Sequence, residues 1–498
     1  MQHPERHIGA PDRPRSRVLV IGGGVSGLSA AVELTRHGYP VTLLEQRQHL
    51  GGRTYSFVDE VTGDVVDNGQ HLLMGCYHET RRYLKTIGSD SRASLQPNLH
   101  IEFLHPQRGP ATLSCPALPP PFHLLAGLLG LKSLSWKDRL GLLKVGWELQ
   151  KDPVKVEPYL SLLTVDEWLT SLGQSPDNKK YLWDVIAIGS LNDDPRMVSA
   201  LLFYRVLRSA FLGARENSSL LIPHVGLSEL LVDPAVEFLE SRGSSLRTGV
   251  GVDGVEVGEG RVRSVRAGTE TLEVDAVVAA VPYYALDAIM PGLSTSGRQR
   301  SAGEEEGFES SPIITINLWF EKPVMEQEFV ALLDSRVHWV FNKSRILASR
   351  KEEGRLQKAD GRLQKADGRL QKADGRLQKA DGRQYLSLVI SGASGYVEME
   401  KEGLIRMALE DLRQVFPAAR NATLIHSLVV KEKRATFSPT PGIEVLRPSS
   451  RTHIENLFLA GDWTDTGFPA TIEGAVTSGI KAAKYATVFL GEKERSFR

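Results

Sequence analysis

Val18-Leu-Val-Ile-Gly-Gly-Gly-Val-Ser-Gly27 runs into Leu28-Ser-Ala-Ala-Val-Glu-Leu34 and then to Val41-Thr-Leu-Leu-Glu45. Val18 to Ile21 is a short, largely β-branched apolar run, as expected of a buried strand. Gly22, Gly24 and Gly27 form Gly-x-Gly-x-x-Gly where that strand ends. Leu28, Ala31, Val32 and Leu34 then recur at helical spacing. A second apolar strand, Val41 to Leu44, ends in Glu45. Strand, glycine turn, helix, strand and acidic end together make a βαβ unit that binds a dinucleotide. The first glycine permits the tight turn, the second admits a pyrophosphate to the backbone, and the third lets helix and strand pack closely. The helix N-terminus offers free N–H groups and its positive dipole end to the phosphates. Glu45 is placed to accept hydrogen bonds from ribose hydroxyls, and its charge disfavours a 2′-phosphate there.

The 498 residues suggest two or three domains, or one large discontinuous enzyme, and 41% hydrophobic residues can bury a sizeable core. A net charge of +0 gives no footprint for nucleic acid. Only Cys76 and Cys115 are present, which excludes a disulfide framework and fits a reducing, cytoplasmic compartment. Cys76 reads as a small buried residue rather than a nucleophile. Metal-ligand spacings are missing from the sequence. Residues 1–16 are polar and rich in Pro and Arg, lack the apolar core of a secretory signal, and read as a disordered tail. None of the apolar runs is long enough to span a bilayer.

Beyond Glu45, Leu50-Gly-Gly-Arg-Thr54 pairs two glycines with Arg53, which can neutralise phosphate. Val65-Val-Asp-Asn-Gly-Gln-His-Leu-Leu-Met-Gly-Cys-Tyr77 follows, with Asp67, Asn68, Gln70 and His71 set between apolar runs. That cluster reads either as lining a reacting ring or as a hydrogen-bonded turn in the core. Leu118 to Leu131 and Trp136 to Leu149 are leucine-rich, with Lys137, Arg139 and Lys144 interleaved. They read equally as a lid or shallow membrane-surface element and as ordinary packed helices. Residues 159–214 have helical spacing, broken by Asn192-Asp-Asp-Pro195 as a turn and helix N-cap signal. Another helix covers 226–239. Strands are expected over 245–250, 251–257, 261–267, 270–274 and 276–282, an antiparallel meander returning to the nucleotide-binding domain. Residues 313–320 and 338–341 alternate as strands, and 385–391 reads as a hairpin partner. Between them Gly-Arg-Leu-Gln-Lys-Ala-Asp begins at Gly354, Gly361, Gly368 and Gly375. Its period is too short for a solenoid, and a glycine per copy weakens any helix. The stretch 354–382 is therefore expected to be a duplicated loop insertion. Each copy carries Arg, Lys and Asp, so the four copies contribute +4 and the rest of the chain −4.

Near the end, Asn456-Leu-Phe-Leu-Ala-Gly-Asp-Trp-Thr464 runs a short apolar strand into Gly461-Asp462. A helix then begins near Ala470 and carries the small residues Gly474, Ala475, Ser478 and Gly479. Asp462 can bind a ribityl hydroxyl. Thr471 and Ile472, at the helix start, can aim backbone N–H groups at the edge of a flavin ring. This second motif points to resident FAD rather than NAD.

Gly22 to Gly27, Glu45, Gly51-Gly-Arg-Thr54 and Ala460-Gly-Asp-Trp-Thr464 together resemble the amine-oxidase and carotenoid-desaturase superfamily of flavoproteins. Asp67 to Tyr77, Ser190-Leu-Asn192, Leu221-Ile-Pro223, Leu227 to Leu231 and Asp465 to Ala475 most resemble its squalene-associated desaturase-like branch, whose characterised activity is hydroxysqualene dehydroxylation. The resemblance spans nearly everything from residue 17 onward, apart from the heptad insert. It implies an α/β fold with a discontinuous Rossmann-like FAD-binding domain at 17–80, 215–290 and 450–490. An α+β substrate domain at 81–214 and 291–449 would be inserted into it. Cofactor contacts are implied at Gly22, Gly24, Ser26, Gly27, Glu45, Gly51, Gly52, Arg53, Thr54, Gly69, Gln70, His71, Val252, Gly461, Asp462, Thr471 and Ile472. The implied reaction is reductive removal of an allylic hydroxyl from an apolar isoprenoid, in hopanoid or other triterpenoid synthesis. His71 is the first candidate proton donor and Asp67 the second. Such a substrate suits a protein that is cytoplasmic or peripheral at the cytoplasmic membrane face. A carotenoid desaturase or isomerase, an amine oxidase and a non-catalytic lipid carrier of the same fold remain the competing expectations. Neither the electron donor nor the oligomeric state is legible.

Overall fold

Val18–Ile21, buried along its whole length, is the middle strand of a five-stranded parallel sheet. The order is Ser245–Thr248, Val41–Glu45, Val18–Ile21, Ala276–Ala279 and Leu457–Leu459. The computed structural model describes residues 16–291, 293, 308–348 and 382–496. The tail and the heptad insertion expected from sequence lie outside the described residues, apart from Ser16 and Gly382.

Side-chain alternation divides the sheet into two covered faces. Val18, Val20, Val41, Leu43, Val278 and Phe458 pack in one core with the helix Val25–Arg36 and the C-terminal helix Ile472–Ser496. Leu19, Ile21, Leu44, Val277 and Leu459 belong to the core on the other face, with Val262, Val265 and Ala267. Those three lie on Arg261–Ala267, the middle strand of an antiparallel sheet with Gly254–Gly258 and Glu270–Glu273. Parallel strands buried on both faces read as continuous apolar runs, which is why the glycine-linked strands were visible. One expectation is corrected here. The strand that starts at Ser245 does not open the meander; it adds in parallel to Val41–Glu45. The chain turns away at Gly249, whose φ is +71°, after Gly249 and Val250 donate to the carbonyls of Arg47 and Glu45.

A second, seven-stranded sheet is built mainly from the later half of the chain. Its order is Leu424–Phe437, Ser310–Phe320, Gln384–Ile390, Trp339–Asn342, Phe329–Leu332, His100–His105 and Gly109–Ser114. All neighbours are antiparallel except Phe329–Leu332 with His100–His105. Gln384–Ile390 pairs with both Ser310–Phe320 and Trp339–Asn342, as the hairpin expectation required. Ile314, Ile316, Leu318 and Phe320 share a core with Leu404, Met407, Ala408 and Leu412 of the helix Lys401–Val415. The opposite face looks into the central cavity. Helices Asp184–Leu191 and Ala200–Phe211 line that cavity, and Trp136–Leu149, Pro153–Leu160 and Val165–Ser171 pack against Ala200–Phe211. Asn192, in the left-handed region at φ +58°, ends Asp184–Leu191. The cap expected in Asn192–Pro195 falls instead at Ser199, whose hydroxyl accepts from Leu202 N–H at 3.3 Å.

Candidate active site

Gly24 and Gly27 show why the opening motif needs glycine at two different places. A Cβ on Gly27 would lie 1.9 Å from the Gly22 carbonyl oxygen, so the helix can cross the strand only without one. A Cβ on Gly24 would meet nothing within 4 Å and would project into empty space beside the cavity. The backbone at Gly24 is thus left open toward the cavity rather than covered by protein packing. Gly22, Ser26, Glu45, Gly51, Gly52 and Thr54 line the same cavity. Glu45 is buried, and its two oxygens accept from the Gly23 and Arg47 N–H groups at 2.7 and 2.8 Å. A carboxylate keeps further lone pairs for ribose hydroxyls. Val252 also reaches the cavity, from the loop after Ser245–Thr248.

The two ends of the chain meet at Arg53 and Asp462. Arg53 Nη2 donates to Asp462 Oδ2 at 2.7 Å, and Nη1 donates to the Ala435 carbonyl at 2.5 Å. Burial works against the Arg53 charge, and Asp462 more than offsets it. Helix contact brings this about: Gly479 passes so close to the first helix that a Cβ would sit 2.1 Å from the Ser26 carbonyl oxygen. Thr471 and Ile472 line the cavity beside Gly461 and Asp462, at the start of the C-terminal helix. Glu473, one residue on, is buried and accepts the Glu79 and Thr80 N–H groups and the Thr80 hydroxyl.

Asp67 and His71 part company. Asp67 does not line the cavity. Its Oδ2 pairs with Lys343 Nζ at 2.9 Å, and Oδ1 accepts from Leu227 N–H and the Ser56 hydroxyl. Burial raises the carboxyl's pKa, but Lys343 and these donors outweigh it and hold it below its ordinary range. A satisfied, buried carboxylate is an anchor, so Asp67 is corrected from proton donor to support. Lys343 Nζ also donates to Gln70 Oε1 at 2.7 Å, which fixes the turn that carries Gly69, Gln70 and His71 to the cavity wall. His71 Nδ1 lies 2.9 Å from the Gly69 carbonyl. A carbonyl only accepts, so Nδ1 carries the proton and Nε2 is the nitrogen left for a ligand. Burial holds the imidazole below its usual pKa, against the Gly69 carbonyl and the Asp67 charge.

From this polar turn the cavity, about 500 Å³, continues into an arm lined by Leu99, Phe103, Val185, Phe211, Trp339 and Phe341. Phe103, Phe341 and Trp339 come from the seven-stranded sheet, Val185 and Phe211 from the helical layer. Cys76 and Cys115 are buried free thiols pushed up to about 11 by burial, a packing role rather than a nucleophile's. Among the described residues, no group of three His, Cys, Asp or Glu side chains is arranged to hold a metal ion. No helix among them is long and apolar enough to cross a membrane.

Sequence reading missed Lys343, which sits 276 positions from its partner Asp67. A lone lysine after a strand carries no local signal. Thr315, Glu432 and Arg434, from strands, and Tyr283, at the start of the helix Tyr283–Ile289, also reach the cavity, and local patterning describes each of these segments only as structure.

The model of the flavin-containing amine oxidoreductase family matches residues 25–487. A hydroxysqualene dehydroxylase of Rhodopseudomonas palustris is 30% identical over 471 residues, covering 94% of this chain and 97% of that protein. A zeta-carotene desaturase of Synechocystis is 25% identical over 488 residues, again covering 94% of this chain, and 96% of its own length. Among solved structures, cyclohexylamine oxidase from Brevibacterium oxydans matches with a TM-score of 0.64 at 18% identity, covering 96% of this chain and 100% of that one. At that identity the likeness speaks for the fold.

Proposed function

The chain belongs to the flavin-containing amine oxidoreductase family, and within it we propose that the protein is an FAD-dependent dehydroxylase that converts hydroxysqualene to squalene. One observation carries the reading. The nucleotide cradle, the Arg53–Asp462 pair and a long apolar arm form one continuous cavity. An apolar arm suits a hydrocarbon chain better than a polar amine. The open side of Gly24, the acceptor at Glu45 and the helix start at Thr471 fit FAD from adenosine end to flavin end. Glu45 would hold the ribose, the Gly22–Gly27 turn the pyrophosphate, and Asp462 a ribityl hydroxyl. Bound FAD, when reduced, supplies the hydride equivalent.

The balance is simple: hydroxysqualene gains one hydride and one proton, and loses water. This chain's residues must place the allylic C–O bond, supply the proton and keep water from the carbon that becomes cationic. Phe103, Val185 and Phe211 do the last by lining the arm with hydrocarbon. Trp339 and Phe341 offer aromatic faces, which favour positive charge. In its imidazolium form, which burial makes scarcer and falling pH restores, His71 gives the Nε2 proton to the departing hydroxyl and keeps the Nδ1 proton on the Gly69 carbonyl. Gly69 holds the ring, and the Lys343–Asp67–Gln70 linkage holds the turn. Squalene made this way serves hopanoid or other triterpenoid synthesis, and so apolar a substrate supports a location at a membrane face.

The test is anaerobic. FAD-loaded protein, chemically reduced, is mixed with hydroxysqualene. Flavin reoxidation with release of squalene is expected. A flavin that stays reduced here, but is reduced from its oxidised state by a carotene precursor, would instead make the protein a desaturase.

A further inference from the structure

The helix Trp136–Leu149 has two apolar faces, and only one of them is packed. Leu142, Val145 and Leu149 are buried in the core. Trp136, Leu140, Leu143 and Trp147 are 66, 56, 42 and 73% exposed. Their spacing of four, three and four residues puts them on one line along the helix. The line is about 16 Å long, since each residue rises about 1.5 Å. An indole stands at each end. Phe122, at the start of the preceding helix, and Val154 and Leu162, just beyond the stripe's helix, are exposed as well.

Charge separates this face from an ordinary apolar patch. Lys132, Lys137, Lys144 and Lys155 are all exposed in the same segment. The segment's acidic side chains are engaged: Asp138 with Ser135 at the helix N-cap, Glu148 with Lys151, Asp152 as the next N-cap, and Glu157 with Arg205. The result is apolar residues and tryptophans interleaved with free cations, the composition of a helix lying in the headgroup layer of a bilayer.

Its position matches that use. Helix Ala200–Phe211 lines the apolar arm with Val206, Leu207, Ala210 and Phe211. From its outer side, Arg205 pairs with Glu157 at 2.6 Å and Arg208 donates to the Leu149 carbonyl. A single helical layer therefore separates the exposed stripe from the arm.

We propose that the Trp136–Leu140–Leu143–Trp147 face docks the enzyme on the surface of an anionic lipid bilayer, bringing the apolar arm to the phase that holds its substrate. The proposal deepens the dehydroxylase reading and rests on the same arm, yet docking is measurable without turnover. FAD-loaded full-length protein is floated with phosphatidylcholine vesicles, with and without about a third phosphatidylglycerol. The protein floats with the anionic vesicles, and Trp136→Ser/Trp147→Ser lowers that partition about tenfold or more. Lys137→Gln/Lys144→Gln lowers it about tenfold on anionic vesicles only. Both variants keep the wild-type flavin absorbance and turn over detergent-dispersed hydroxysqualene at the wild-type rate. Wild-type protein left behind by anionic vesicles overturns the proposal, as does a double tryptophan variant that floats like wild type. So does a wild-type dimer that becomes monomeric in that variant, because a second copy would then cover the stripe. Wild-type protein that floats but releases no squalene would sink the reaction assignment while the docking face stands.

Discussion

The nucleotide cradle and the helical layer over the apolar arm lie on one cavity, yet they are built by opposite means. The cradle depends on single atoms. Gly27 leaves no room for a methyl group against the Gly22 carbonyl, Glu45 bridges two N–H groups, and Arg53 meets Asp462 across 409 positions. The arm depends on bulk: Leu99, Phe103, Val185, Phe211 and Trp339 contribute apolar surface to it. A pyrophosphate requires donors at fixed points, whereas a hydrocarbon requires only a dry volume of the right length. Single substitutions should therefore be severe in the cradle and mild in the arm.

The sharpest break is Gly27→Ala. The new Cβ would overlap a backbone oxygen that cannot move without shifting the first strand, so the variant should lose bound FAD, measured as flavin absorbance per protein. Normal FAD content would mean that the helix–strand contact is not what shapes the cradle.

Lys343→Met comes next. It strands Asp67 as a buried, unpaired carboxylate and should cost about 3–5 kcal/mol in urea unfolding. Asp67→Asn/Lys343→Met should recover most of that. The sign with pH follows from Asp67, whose folded pKa is depressed. Its contribution is present above the unfolded carboxylate value of about 3.9 and is lost as pH falls through the lower folded value. The double variant should lack that acid-dependent component.

His71→Ala should keep FAD and lower kcat about a hundredfold. Burial depresses the His71 pKa, so the wild-type rate should rise as pH falls below the ordinary histidine value of about 6.5. A flat profile, or full turnover by the alanine variant, removes His71 as the donor.

In the arm, Trp339→Leu keeps the site apolar and should raise KM only severalfold with FAD content unchanged. A loss as deep as that of Gly27→Ala would erase the contrast between the two regions.

The contrast also sorts what could be read in advance. Strand, glycine turn, helix and acidic end are contiguous from Val18 to Glu45, because the motif's physics is local: a turn, a helix N-terminus and a strand buried on both faces. Gly461-Asp462 and the helix at Thr471 were visible for the same reason. Asp67 was misassigned because a polar residue near a ligand and a polar residue anchoring the ligand's support look alike until partners are known. Lys343 had no signal, since its meaning lies wholly in a partner 276 positions away. The leucine-rich helices admitted a lid or membrane-surface element as well as ordinary packed helices. The structure packs one face of Trp136–Leu149 and exposes the other.

The sequence by itself determined a βαβ unit with a dinucleotide fingerprint, a second motif that points to a flavin, and the expectation that these two distant stretches share one cofactor. Only the tertiary structure decided which polar groups face the cavity, which are buried supports, and which apolar stripe is left uncovered. Backbone conformation and strand or helix periodicity are set by neighbours a few residues apart. Burial, ion pairing and exposure are set by whatever the rest of the chain brings alongside.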